Sequence, residues 1–217
     1  MSEMKSITFN NKTIRFRKWK VKDKKDLDNC KTELEKRRVY VYNSLENPNE
    51  PLDLEEYNFV LANIRDYSLD GEFEYTVTCP HCNKSYDVSL RATSIVNFKD
   101  ALYEPICVDD IVIELGDVKN QELYERVVIG AVTTSERYIS DFAMHITKIN
   151  GNDVDYEDAI SYIENLDVST YEKIFDLYEV CKCRCEFTHK VACDSCGKET
   201  EYNFEDMKGF YPKTWNL

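Results

Sequence analysis

The sequence has little of what turn-built, exported or membrane-spanning proteins need. Glycine occurs six times and proline five times in 217 residues. That is too few for a loop-rich all-β array and favours helices with a few strands. The longest apolar run, Val127 to Val132, is far too short to cross a bilayer. The opening MSEMKSITFNNK has no apolar core of a secretory signal, so the expected location is the cytoplasm of the cell that makes the protein. Histidine occurs three times, as His81, His145 and His189, which leaves few candidates for histidine-centred acid–base chemistry. A Gly-rich phosphate loop and a G-x-S-x-G elbow are both missing. These absences argue against an enzyme.

Charge is abundant and unevenly placed. Lys and Arg number 28 against 41 Asp and Glu, a net of −13. Residues 1–38 hold 13 basic and 6 acidic side chains, a net of +7, and the rest of the chain carries −20. An acidic body repels phosphate backbones, so general nucleic-acid binding is disfavoured. The basic arm suits the chain's own acidic surface or an acidic partner.

Nine cysteines in a chain expected to stay in a reducing compartment need a purpose other than disulfides. Four form two Cys-x-x-Cys pairs, Cys79-Pro80-His81-Cys82 and Cys193-Asp194-Ser195-Cys196. Around them runs an internal repeat. Glu72 to Leu90 (EFEYTVTCPHCNKSYDVSL) aligns without a gap on Glu186 to Phe204 (EFTHKVACDSCGKETEYNF), at an offset of 114 residues. Glu72, Phe73, Val77, Cys79, Cys82 and Lys84 match outright. Each copy reads strand, Cys-x-x-Cys, strand, with alternating apolar residues such as Phe73, Tyr75 and Val77.

One such turn aims two sulphurs at a point, whereas a closed structural zinc site needs four donors in a tetrahedron. The spacing therefore predicts one structural Zn²⁺ held by Cys79, Cys82, Cys193 and Cys196, the arrangement of a zinc ribbon split by about 110 residues. Closing so long a loop costs free energy only logarithmically in its length. Zinc binding energies of roughly 10–16 kcal/mol exceed that cost. Cys181, Cys183 and Cys185 are candidates for additional metal ligands if they share one strand face, or else small buried residues of an ordinary strand. His81 and His189 are weaker candidates still. Cys30 and Cys107 read as core. A thiol oxidoreductase is a further reading of a lone Cys-x-x-Cys, but it wants the motif at the start of a helix in a βαβ unit.

The remaining segments predict an α+β fold: the two zinc-knuckle hairpins, a mainly helical body and an N-terminal β-hairpin. The hairpin spans Ser6–Asn10 and Thr13–Trp19 about an Asn-Lys turn. A helix is expected over about Lys24–Leu45 with Asp23 as N-cap, and another from near Asp53 to Tyr67 with Leu54, Tyr57, Val60, Leu61 and Ile64 inward. Pro105–Leu115 reads as a strand. Helices follow at about Gln121–Ala131 and Ser135–Ile146, then an Asn150-Gly151 hairpin turn. Two more helices, about Tyr156–Leu166 and Ser169–Val180, lead to the second knuckle, with Ser169 and Thr170 as caps and Glu172 closing a capping box. The expected segments are 1–70, the knuckle 71–91, a helical insert 92–180, and 181–217 with a short aromatic tail, forming one compact unit.

In this order the landmarks ITFNNKTIRFRKWKVKDKKDL, NFVLANIRDYSLDGEFEYTVTCPHC, KINGNDV, IENLDVSTYEKIFDLYE and VACDSCGKETEYNFEDMKGFYP resemble the baseplate hub subunit and chaperone-like hub-assembly proteins of T-even-type myophages. The likeness runs over nearly the whole chain. Cys79, Pro80, Cys82, Cys193, Cys196 and Gly197 match its knuckle pattern, and Asp194 departs from it by standing where proline is usual. The resemblance implies a non-enzymatic late protein that acts in the host cytoplasm during assembly. It would bind other tail and baseplate hub proteins, including the tape-measure protein, while the hub assembles. The competing reading is an acidic zinc-ribbon adaptor for nucleic acid or host transcription machinery. It calls for a basic face, yet Glu186, Glu199, Glu201, Glu205 and Asp206 surround Lys182, Arg184, Lys190 and Lys198 of the second knuckle.

Overall fold

The computed structural model describes residues 3–69 and 71–204. Among them the chain forms eight α-helices and small antiparallel sheets. It divides into two compact units. The first comprises the described residues of Met1–Pro48, Leu54–Lys99 and Arg184–Leu217, the second Asn49–Asp53 and Asp100–Cys183.

The first unit opens with a hairpin, β1 (Met4–Phe9) and β2 (Lys12–Arg17). Its turn is Asn10-Asn11, both with positive φ of 43° and 58°, one residue earlier than the expected Asn-Lys. Asparagine tolerates this left-handed geometry, and two such residues in succession match the right-handed twist of a hairpin. The single helix expected over Lys24–Leu45 is instead two, α1 (Val21–Asp28) and α2 (Glu33–Tyr40), followed by a short 3₁₀ turn at Tyr42–Ser44. The signal for the break is Thr32-x-x-Glu35. Thr32 Oγ1 accepts from the Glu35 N–H at 3.1 Å, and the Glu35 carboxylate accepts from the Thr32 N–H at 3.0 Å. This capping box restarts the helix. Asp23 lies inside α1 rather than at its cap. It is fully buried, and both its oxygens accept from the Arg17 guanidinium at 2.8 and 2.9 Å.

The long helix α3 (Leu54–Ser68) buries Tyr57, Val60, Leu61 and Ile64, as its spacing predicts, leaves Leu54 at its first turn half-buried, and packs on β2. Fully burying each of the three aliphatic side chains contributes roughly 1.5–3 kcal/mol. The first cysteine hairpin follows as β3 (Phe73–Thr78) and β4 (Ser85–Leu90). A one-turn helix α4 (Ala92–Ile95) leads into β5 (Val96–Lys99), a strand that the sequence pattern did not single out. Phe98 of β5 stacks on Phe59 of α3 at 4.7 Å, and Phe9 meets both rings edge-on at 5.3 Å.

The second unit is built on a four-stranded antiparallel sheet, β6 (Ile106–Val108), β7 (Ile111–Leu115), β8 (Ile146–Ile149) and β9 (Asn152–Asp153), in that order. The expected single strand 105–115 is a hairpin. Asp109, with φ of 52°, makes the turn, a role aspartate fills more readily than most residues. Between β7 and β8 lie the short α5 (Gln121–Tyr124), one π-helical turn at Glu125–Ile129, and α6 (Thr134–His145). The Asn150-Gly151 turn joins β8 to β9, with φ of 50° and 79°. α7 (Tyr156–Glu164) and α8 (Val168–Cys181) complete the unit. α8 is capped by Asp167, whose carboxylate accepts from Thr170 N and Oγ1, not by Ser169 or Thr170. Ile113, Phe142, Ile174 and Tyr178 are fully buried at the centre of this unit's core.

The chain then returns to the first unit as β10 (Arg184–Ala192) and β11 (Glu199–Asn203), which with β5 make a three-stranded sheet in the order β11-β10-β5.

Candidate metal centre

The repeat seen in the sequence is a repeat of hydrogen bonds. In the first hairpin Thr78 pairs with Ser85 and Glu74 with Ser89. In the second, Ala192 pairs with Glu199 and Thr188 with Asn203, each partner 114 residues on. The tips repeat as well. Cys79 N–H donates to Lys84 O and Asn83 N–H to Cys79 O, at 2.9 and 2.8 Å. Cys193 N–H donates to Lys198 O and Gly197 N–H to Cys193 O, at 2.9 and 2.7 Å.

These turns aim four sulphurs at one point. Cys79 Sγ lies 3.7 Å from Cys196 Sγ, and Cys82 Sγ lies 3.6 Å from Cys193 Sγ. All four lie within 4.8 Å of one another. A tetrahedron with metal–sulphur bonds of about 2.3 Å has edges of about 3.8 Å, so the spacing suits a four-thiolate metal site. Cys79 and Cys193 are buried, Cys82 is half-buried and Cys196 exposed.

The electrostatics have the same tendency. At Cys193 burial pushes the thiol pKa up, but the N–H groups of Ser195 and Cys196 and the neighbouring thiols outweigh it and bring it down to about 7. At Cys82 the Lys84 N–H pulls down, while burial and hydrogen bonds with Cys193, Cys79 and Cys196 outweigh it and lift the thiol to about 11. Four thiols this close resist ionising together. A divalent cation at their centre removes that obstacle, because a coordinating thiol gives up its proton outright.

The other cysteines are not members of this group. Cys181 is the last residue of α8, so Cys181, Cys183 and Cys185 do not share one strand. Cys183 Sγ donates to Asp53 Oδ2 at 3.1 Å, and Cys185 pairs with Phe98 across β10 and β5. His189 Nδ1 lies 3.1 Å from Ser94 O, and His81 is exposed. Cys30 is half-buried beside Leu27 and Val39, and Cys107 is exposed on β6.

The family described as T4 bacteriophage base plate protein matches residues 1–212. The chain belongs to that family. No curated protein and no solved structure was found to match it. Membership makes the chain a phage baseplate protein, whose surroundings are other baseplate proteins. Among the described residues no helix is long and apolar enough to cross a membrane.

One polar cluster escaped the sequence reading. In the second unit His145 is buried, with Nδ1 2.8 Å from Asp141 O and 3.1 Å from Tyr178 Oη, and Nε2 3.5 Å from Asp53 Oδ2. Tyr124 and Tyr178 donate to the two Asp141 oxygens at 2.8 and 2.9 Å. Asp53 and Cys183 are 130 positions apart, and no local periodicity links them.

Proposed function

We propose that this baseplate protein is a hub component or hub-assembly chaperone. It acts by binding hub and tape-measure proteins during tail morphogenesis, without catalysis. Its four-cysteine cluster holds one structural Zn²⁺ through Cys79, Cys82, Cys193 and Cys196. The observation that carries the reading is the family match over residues 1–212, and the sulphur spacing supports the metal. Four thiolates fill a tetrahedral zinc and leave no open position for a substrate or water. The role of the site is then to fasten β3–β4 to β10–β11, two segments of the first unit separated in sequence by residues 100–183 of the second.

The test is co-purification of the tagged full chain from infected cells, with elemental analysis of the same sample. Hub and tape-measure proteins as the dominant partners, with one zinc per chain, are the expected outcome. Host polymerase subunits or nucleic acid as dominant partners would overturn the hub reading in favour of an adaptor. A protein free of zinc after preparation without chelator would remove the metal.

A further inference from the structure

The second unit carries a groove of about 670 Å³ that the assignment of the cysteine site does not use. Its apolar lining includes the half-buried Leu123 of α5, Met144 of α6, and Val154 and Tyr156 at the junction of β9 and α7, over the buried Ala143 and Ile146. A second, more open groove of about 390 Å³ shares Asn120, Leu123, Asp155 and Tyr156 and continues the first. A half-buried apolar lining of this size suits aromatic anchors.

The rim is acidic. Glu114, Asp117, Asp153 and Asp155 line the larger groove beside Lys119 and Lys148. The continuation adds Glu122 and Glu157 against Arg126. The balance is a net of −3. Part of that charge is engaged locally: Glu114 pairs with Lys148 at 3.1 Å, Asp117 accepts from Tyr103 Oη at 2.8 Å, and Asp155 caps α7. Asp153, Glu122 and Glu157 are exposed along its length.

Beyond the described residues the sequence holds a segment with complementary chemistry. Residues 207–217, MKGFYPKTWNL, combine Lys208 and Lys213 with Phe210, Tyr211 and Trp215 and contain no acidic side chain. They lie beyond Phe204, where the described part of the first unit stops. We propose that the acidic groove of the second unit seats residues 207–217 of a second copy of this chain. The aromatic side chains fill the apolar floor and the two lysines meet the carboxylate rim. Because segment and groove are different surfaces, the contact is head-to-tail and propagates into a ring or a chain of subunits. A protein whose family builds a baseplate has use for such a contact. The inference is independent of the hub reading and of the zinc.

The test is analytical ultracentrifugation of the full chain over a concentration series, with two variants. One is Phe210→Ala with Trp215→Ala, which removes the anchors. The other is Asp153→Lys with Glu157→Lys, two exposed positions on the rim. Self-association is expected to rise with concentration and to weaken at least about tenfold in each variant, as loss of an interface anchor does. Mixing the two variants restores one intact segment and one intact groove, so a 1:1 pair forms and nothing larger. A chain that stays monomeric throughout, or association unchanged in both variants, overturns the proposal. A cross-link from a photoreactive residue at position 215 to groove residues of the same molecule would overturn the second copy as occupant.

Discussion

Asn83 and Gly197 occupy the same left-handed position in the two cysteine turns, with φ of 56° and 69°. The two residues are 114 positions apart. Each follows the second cysteine of its pair, and its N–H donates back to the carbonyl of the first. That bond closes the turn and sets both sulphurs on one side. Asparagine and glycine are the two residues that adopt this conformation at least cost.

Replacing Gly197 by valine should therefore cost about 1–2 kcal/mol in backbone strain. A Cβ there meets no atom within 4 Å, so the cost lies in the left-handed backbone. Asn83→Gly should be close to neutral. Thermal unfolding of the two variants in parallel checks this. Equal losses would mean that the left-handed turn does not control the site.

Cys79→Ser and Cys193→Ser should each lower the stability of the metal-bound protein by about 4 kcal/mol or more, the scale expected when a structural metal is lost. For a chain of this size that is a fall of roughly 10 °C in melting temperature. Cys107→Ser, at an exposed thiol outside the cluster, should change little. Calorimetry with zinc analysis on all three gives the answer, and unaltered melting in the first two would show that the cluster is not a fastening.

Asp23→Ala should cost about 3–5 kcal/mol, because it strands Arg17 in the position where the buried carboxylate now holds it with two hydrogen bonds. The double replacement Arg17→Met with Asp23→Leu should recover most of that loss. Urea titrations of the single and double variants check it, and a double variant as unstable as the single would contradict the account.

The protonation of His145 gives a pH dependence. Burial by itself pushes its pKa down, but the Asp53 hydrogen bond and the Asp141 charge outweigh it and raise the group to about 9. A folded value above the unfolded value of about 6.5 means that the stabilisation is fully present below pH 6.5. It is lost progressively as pH rises through 9. The full amplitude is on the order of a few kcal/mol. Urea midpoints between pH 6.5 and 9 should fall in the parent and flatten in His145→Gln. The same slope in both proteins would assign the effect to other groups.

The sequence was most informative where a pattern is local. The repeat around the cysteines predicted two hairpins, and their registers agree residue for residue, because Phe73, Tyr75 and Val77 alternate and the turn residues allow one geometry. The helices beginning near residues 54, 134 and 156 were visible for the same reason. The break between α1 and α2 was also written locally, in Thr32 and Glu35, but the charged stretch around it masks the capping box. The turn at Asp109 hid inside an apolar run that reads as continuous. Strand β5 could not be read, because its four residues become a strand only by pairing with β10, some 90 positions away. The Asp53–His145–Cys183 cluster was illegible for the same reason, since each member is an unremarkable polar residue until the fold assembles it.

The separation of the two cysteine pairs also has a meaning in time. Cys193 follows Cys82 by 111 positions, and a ribosome adding about 5–20 residues per second needs roughly 5–20 s to cover them. Throughout that interval the nascent chain exposes only half of the cluster, while residues 100–183 of the second unit emerge. The fourth sulphur arrives only after translation has passed through the insert, so a stalled or truncated chain retains two unmatched thiols. Closure of the cluster thus registers that residues 83–192 have been made.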